Sequence, residues 1–250
     1  MAFGHVYLVT SRLNTVTPEQ VASAEETLGF KFPDGYSDFV TRLGEGSYSN
    51  FVRVYLPSRI VEEHREFQDR WKQYFFWDKG HEVLTKEQIV ESFIIADTVQ
   101  GDELIFHPAQ PNRLFVLPRY HDTVFVAGNG FPAAVDWLCK SGQLTDPITF
   151  DCFESWQQRR SFKFVGPGQF ETVAKALEGL GIHDHIQTDE EYPLLEIFVS
   201  DFQGKVVLTA YDSHATAWLT HDAEANTKAL ERAIACLEGL GLVCQPDTNE

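Results

Sequence analysis

The sequence predicts an α+β protein in two parts. Residues 1–160 form a twisted sheet flanked by helices, and residues 161–250 form a smaller acidic α+β domain or extension with a β-α-β-β-α-β, ferredoxin-like order. Three observations carry this. Helical periodicity dominates the first 80 residues, with a single strand-like run between the helical segments. From Ser92 the period changes to a succession of short β-rich runs. A charged stretch, Gln157-Gln158-Arg159-Arg160, then separates these from a second series of strands and helices.

The elements follow in order. Thr17-Pro18-Glu19-Gln20 is a helix start, with Thr as N-cap, Pro in the first turn and Gln closing a capping box. Val21, Ala24 and Leu28 share one face before Gly29 ends the helix. Pro33-Asp34-Gly35 turns the chain into a second apolar stripe, Tyr36, Phe39, Val40 and Leu43, which breaks off at Gly44-Glu45-Gly46. NFVRVYLP reads as a strand, and Ile60, His64, Phe67, Trp71 and Phe75 set a helix over 58–77. SFIIAD, ELIFHP, RLFVLPRY and TVFVAG are strands, and Asn129 is the expected cap of a helix with Phe131, Ala134, Val135 and Leu138 inward. In the second part, FKFV, PLLEIFVS, KVVLTAYD and LVCQ are the strands, and 170–180 and 224–240 the helices. Both helices end in Leu-Glu-Gly-Leu-Gly, at 177–181 and 237–241, either as a local helix-ending signal or as the trace of a duplication.

Composition narrows the function. Twenty Lys and Arg face 37 Asp and Glu, a net charge of −17 that repels nucleic-acid phosphates and is either a solvated surface that maintains solubility or a field that speeds encounter with a basic partner. The acidity is concentrated in 161–250, with 15 acidic and 5 basic residues, against 22 and 15 in 1–160. No run approaches the ~18 apolar residues of a membrane span. The N-terminal MAFGHVYLVTSRLN has neither a basic start nor a small-residue cleavage site, and the four cysteines form no C-x-x-C pair, so a reduced, cytoplasmic protein is expected.

Catalytic signatures are weak. There is no G-x-S-x-G, no phosphate-binding G-x-x-x-x-G-K-[ST] and no H-E-x-x-H. His183-Asp184-His185, with His214 and His221, has metal-ligand chemistry but no spacing that gathers the side chains, so no metal or cofactor is assigned. Asp97, Asp102 and Glu103 surround a turn with His107 beyond, which admits an acid–base reading; a solvated hairpin turn is the simpler one. QYFFWDKG at 73–80 sets four aromatics in a row, more than one helix face can bury, so it is either a core plug or a partner-binding patch.

TPEQVASAEETLGFKFPDGYSDFVTRLGEGS, FIIADTVQGDELIFHP and VFVAGNGFPAAVDWL together resemble the SUKH superfamily, over roughly residues 15–140. The resemblance implies a SUKH-like α+β binding fold. Pro33, Tyr36, Gly44, Gly46 and Gly101 would be fold-motif positions, and the members include bacterial toxin-immunity proteins and a fungal cell-wall assembly regulator. It implies a non-enzymatic binding protein, and with the acidic charge the expectation is occlusion of a basic toxin domain, nucleases being among the targets of the family. The contacts expected are Glu45, Tyr48, Asp97, Asp102 and Glu103, with neither nucleic acid nor membrane as a direct partner and the oligomeric state left open. A regulatory scaffold without a toxin partner is the alternative, and an acid–base hydrolase using Asp97, Asp102 and His107 a further one.

Overall fold

A computed structural model describes residues 3–189, 191–211 and 214–245. Among the described residues, those within 1–8 and 13–156 form one compact unit, and those within 9–12 and 157–250 another. Met1 and Ala2 of the N-terminal stretch, and Asp212 at the end of the expected strand KVVLTAYD, lie outside the described residues.

The first unit runs β1 (Tyr7–Leu8), α1 (Pro18–Leu28), α2 (Tyr36–Arg42), β2 (Gly46–Tyr48), β3 (Val52–Val54), α3 (Pro57–Gln73), α4 (Lys86–Glu91), β4 (Phe93–Thr98), β5 (Glu103–Phe106), β6 (Arg113–Leu117), β7 (Phe125–Asn129), α5 (Phe131–Lys140) and β8 (Cys152–Ser155). Its sheet has the order β1-β8-β2-β3-β4-β5-β6-β7, antiparallel except for the β1–β8 pair. Capping sets α1 as the sequence predicts: the Thr17 hydroxyl accepts from the Gln20 N–H, the Gln20 side chain accepts from the Thr17 N–H, and Gly29 closes the helix at φ 78°. Two expectations shift. NFVRVYLP contributes only Val52–Val54 to the sheet, and Gly130 rather than Asn129 caps α5, because Asn129 is still paired with Arg113 at the end of β7.

The corner at Pro33 and Tyr36 is a packing device. Tyr36 is fully buried, and its hydroxyl donates to the Tyr55 carbonyl at 2.6 Å, joining the start of α2 to the end of β3. Burial raises the Tyr36 phenol well above its ordinary pKa, which keeps it a donor. Phe39 lies edge-on to Phe3, Phe131 and Phe153 at 5.0–5.8 Å between centroids, an arrangement aromatic quadrupoles favour. Gly44 has φ 77°, and a Cβ there would lie 2.0 Å from the Asn14 carbonyl, so this exit from α2 accepts only glycine.

The second unit runs β9 (Arg159–Pro167), α6 (Phe170–Glu178), β10 (His185–Thr188), β11 (Leu194–Val199), β12 (Gly204–Tyr211), β13 (His214–Asp222), α7 (Lys228–Gly239) and β14 (Val243–Gln245). The sheet order is β10-β11-β12-β13-β9-β14, antiparallel throughout. The predicted β-α-β-β-α-β order is thus extended by two strands. β10 begins at His185, in the histidine-rich segment. β13 carries Ala215, Ala217 and Leu219 inward, and the two alanines make its alternation a weak hydrophobic signal. Both helices contribute to one core, Val173, Ala174 and Leu177 from α6 and Leu230, Ala233 and Leu237 from α7. Arg12 joins this unit through an ion pair to Asp222 at 2.7 Å, and the Ser11 N–H donates to Gln203 at 2.9 Å.

Candidate functional site: an aromatic cleft at the end of α3

The site grows from a row across the first sheet. Ser47 pairs with Arg53, Arg53 with Asp97, and Asp97 with Glu103, so the four side chains share one face. Two carboxylates directly opposite each other repel, and the row is stable only because each has its own cation. The Arg53 guanidinium grips Asp97 with two bonds of 2.7 and 2.8 Å, and the Tyr55 hydroxyl donates to Asp97 at 2.9 Å. Glu103 pairs with Arg70 and accepts from the Trp71 indole N–H at 2.8 Å. Burial outweighs these partners and holds the Glu103 carboxyl above its usual range.

Helix α3 supplies the other wall. Ile60, His64, Phe67 and Trp71 form its inward stripe as predicted, but the helix ends at Gln73, four residues short of the expected 77. The aromatic run then divides. Trp77 turns inward, its indole N–H donating to the Pro118 carbonyl at 2.9 Å, while Tyr74 and Phe76 stay 71% and 45% exposed. Hydrogen bonds from the Lys79 N–H to Asp122 and from the Val124 N–H to Lys79, both 3.0 Å, pin the segment against the loop after β6. The result is a cleft of about 430 Å³ lined by Tyr55, Phe67, Trp71, Tyr74, Phe76 and Trp77, with Arg70, Asp97, Glu103 and Arg119 as its charged groups.

The β4–β5 hairpin forms the rim. Gly101 has φ 94°, and its bare Cα lets Arg119 lie over the turn, where a Cβ would sit 3.0 Å from the Arg119 Cδ. Asp102 is buried beneath, accepting from the Thr98 hydroxyl at 2.6 Å and from the Arg119 backbone N–H at 2.9 Å.

The residues singled out in the sequence therefore separate. Asp97, Gly101 and Glu103 meet in the cleft. Asp102 is inside the hairpin and Tyr48 inside the core against Phe3 and Phe39, so neither side chain offers a partner a surface. Glu45 accepts from the Asn14 side chain at 2.9 Å, away from the cleft lining. His107 lies past the far end of β5, five residues and about 16 Å of strand from Asp102, beside Glu91, so the acid–base trio does not assemble. His185 and His214 sit on separate strands, and His221 is buried against Phe162. Among the described residues no group of three or more His, Cys, Asp or Glu side chains is placed to hold a metal. No pattern in the sequence marks the cleft arginines, Arg70 and Arg119; Arg53, which holds Asp97, carries one, a lone charge between two valines of a strand whose alternate positions are buried.

Structurally, then, the first unit is an α+β protein with a twisted mixed sheet, helices against it and one open aromatic cleft. Its residues 15–134 match the SMI1 / KNR4 family (SUKH-1), so the chain carries a SUKH superfamily segment from just before α1 into α5. That family is known for immunity proteins and cell-wall regulators. No curated protein and no solved structure matches the chain. No helix among the described residues is long and apolar enough to cross a membrane.

Proposed function

We propose that this is an intracellular protein-binding module of the toxin-immunity type, which neutralises a basic toxin domain by covering it. The observation that carries the reading is the cleft: exposed Tyr74 and Phe76 beside arginines, over carboxylates already bonded to Arg53 and Arg70. Exposed aromatics with arginine are the composition of binding hot spots. Both carboxylates are engaged by structural donors, Asp97 by Arg53 and Tyr55 and Glu103 by Arg70 and Trp71. The SUKH-1 match supports a binding role, and the net charge of −17 supports a basic partner, drawn in over distances set by the ionic strength.

The test uses the purified protein as bait in lysate of its source at low and high salt, beside a Tyr74→Ala/Phe76→Ala variant that melts at the same temperature. The reading expects capture of one basic protein that salt releases and the variant loses, and whose toxic activity the wild type blocks in a direct assay. Capture of several endogenous proteins without toxicity would replace immunity with a regulatory scaffold, the other role known in the family. Capture unaffected by the double substitution would remove the cleft from the account.

A further inference from the structure

The charge pattern of the cleft specifies what it receives. Its two carboxylates are committed, Asp97 to Arg53 and Tyr55 and Glu103 to Arg70 and Trp71. Arg119 differs. Its guanidinium reaches the Gln100 carbonyl at 3.3 Å and lies over the Tyr120 ring at 5.5 Å, and among the described residues no carboxylate pairs with it. Arg70 at the same cleft is only half-covered. Several surface cations among the described residues lack a carboxylate, and what distinguishes Arg119 is that it lines the aromatic cleft. Asp102 and Gly101 maintain this placement, one by holding the Arg119 backbone and the other by leaving room for its side chain.

We propose that the cleft takes an acidic, aromatic-bearing segment of a protein partner, its carboxylate received by Arg119 and its ring by Tyr74 and Phe76. This rests on the binding reading above and adds the chemistry of the segment that docks. Charge complementarity selects it. A cationic side chain would meet Arg119 and Arg70, and at Asp97 or Glu103 it would compete with the arginine each already holds. A neutral group would cover the Arg119 guanidinium with at most a neutral acceptor in place of water, a weaker partner for the charge. A carboxylate instead forms a charge-assisted pair with a planar donor, the geometry in which arginine exceeds lysine. Long-range attraction of a basic domain is not in conflict with this, because net charge governs the encounter and local pairing governs the docked state.

The test is an NMR titration of the full chain, following the indole N–H signals of Trp71 and Trp77, which line the cleft. The probes share one ring and differ in charge: phenylacetate, phenylacetamide and phenethylamine. Phenylacetate is expected to shift both indoles and to bind at least tenfold more tightly than the other two. The Arg119→Ala variant should lose that preference, and Arg119→Lys should restore part of it. Arg119→Gln serves as the check should Arg119→Ala lower the melting temperature. Tighter binding of phenethylamine would overturn the proposal and leave a cleft for a cationic segment. A preference for phenylacetate that survives all Arg119 substitutions would also overturn it. If no probe moved either indole, the cleft itself would be refuted as a binding site, which separates that failure from the other two.

Discussion

Removing Arg70 tests whether the row across the sheet is held as described. In an Arg70→Ala variant, Glu103, with a side chain 8% exposed, keeps the Trp71 N–H but loses its cation, while Asp97 stays directly opposite. Removing one member of a fully buried pair costs about 3–5 kcal/mol, and an exposed pair is worth about 0–1 kcal/mol. Arg70 is 44% exposed, which places the loss between these limits, at about 2 kcal/mol near pH 8. The loss depends on pH with a definite sign. Glu103 already sits above its unfolded-state pKa in the folded protein, so the folded state holds this proton more tightly. Its relative contribution is greatest in acid and is lost as pH rises through the folded value. Without Arg70 the folded pKa rises further, so the deficit of the variant must be larger at pH 8 than at pH 5. The measurement is urea unfolding of both proteins at the two pH values, followed by tryptophan fluorescence, with Arg70→Ala/Glu103→Gln as the companion. The double variant should show a smaller deficit with little pH dependence. An Arg70→Ala deficit that is equal at both pH values, or larger at pH 5, would refute the account of Glu103 as a buried, cation-dependent carboxylate.

Other consequences are simpler. Tyr36→Phe leaves the Tyr55 carbonyl without its 2.6 Å donor, and should lower stability by about 1–2 kcal/mol in the same urea assay while leaving the circular dichroism unchanged. Gly44→Ala introduces a Cβ 2.0 Å from the Asn14 carbonyl at φ 77°, and should abolish soluble expression or lower the melting temperature by more than any surface substitution. Burial pushes the Cys139 thiol up to about 12, so with a thiol reagent at pH 8 the exposed Cys244 should react first, with Cys139 and the buried Cys152 protected until denaturant is added.

What the sequence disclosed was whatever is written locally. Thr17, Gln20 and Gly29 bound a helix through groups at most a few residues apart, so α1 is legible. The same grammar at Thr85 and Gln88 caps α4, a helix not among those expected although its signal is of the same kind. The Leu-Glu-Gly-Leu-Gly repeats end α6 and α7 with their second glycines, Gly181 and Gly241, at φ 61° and 83°, so a local helix-ending role accounts for the shared words. The cleft was legible only in pieces. Asp97, Glu103 and the aromatic run each stood out, but their meeting depends on the register of β3, β4 and β5 and on α3 ending at Gln73. Arg119 and Glu103 lie in separate strand–turn segments, and no periodicity joins them. Burial was the other hidden variable: Tyr48 and Asp102 have surface-compatible chemistry, and only the packed structure shows them inside.

The separation of Asp97 and Glu103 from the solvent-facing acidity changes where electrostatic steering must originate. Had these carboxylates been free, neutralising one would remove an attractive contact for a basic partner. Bonded to Arg53 and Arg70, each forms a pair that is neutral at long range, so neutralising Asp97 leaves the Arg53 charge uncompensated and shifts the field by one charge, no more than neutralising any other single acidic residue. Asp97→Asn changes the net charge only from −17 to −16 and should leave the association rate with the captured partner within about twofold. Its cost should fall instead on dissociation, through disorder of Arg53 and Tyr55 at the cleft. Glu171, Glu231 and Glu238 are exposed on α6 and α7 of the acid-rich second unit. Converting these three to Gln takes the net charge to −14 and should slow association and flatten its dependence on salt, with dissociation unchanged. Stopped-flow association of both variants over a salt series decides the matter. An Asp97→Asn protein that associates several-fold more slowly, with its salt slope reduced, would show that the cleft carboxylate does the steering and that its pairing with Arg53 is given up on encounter.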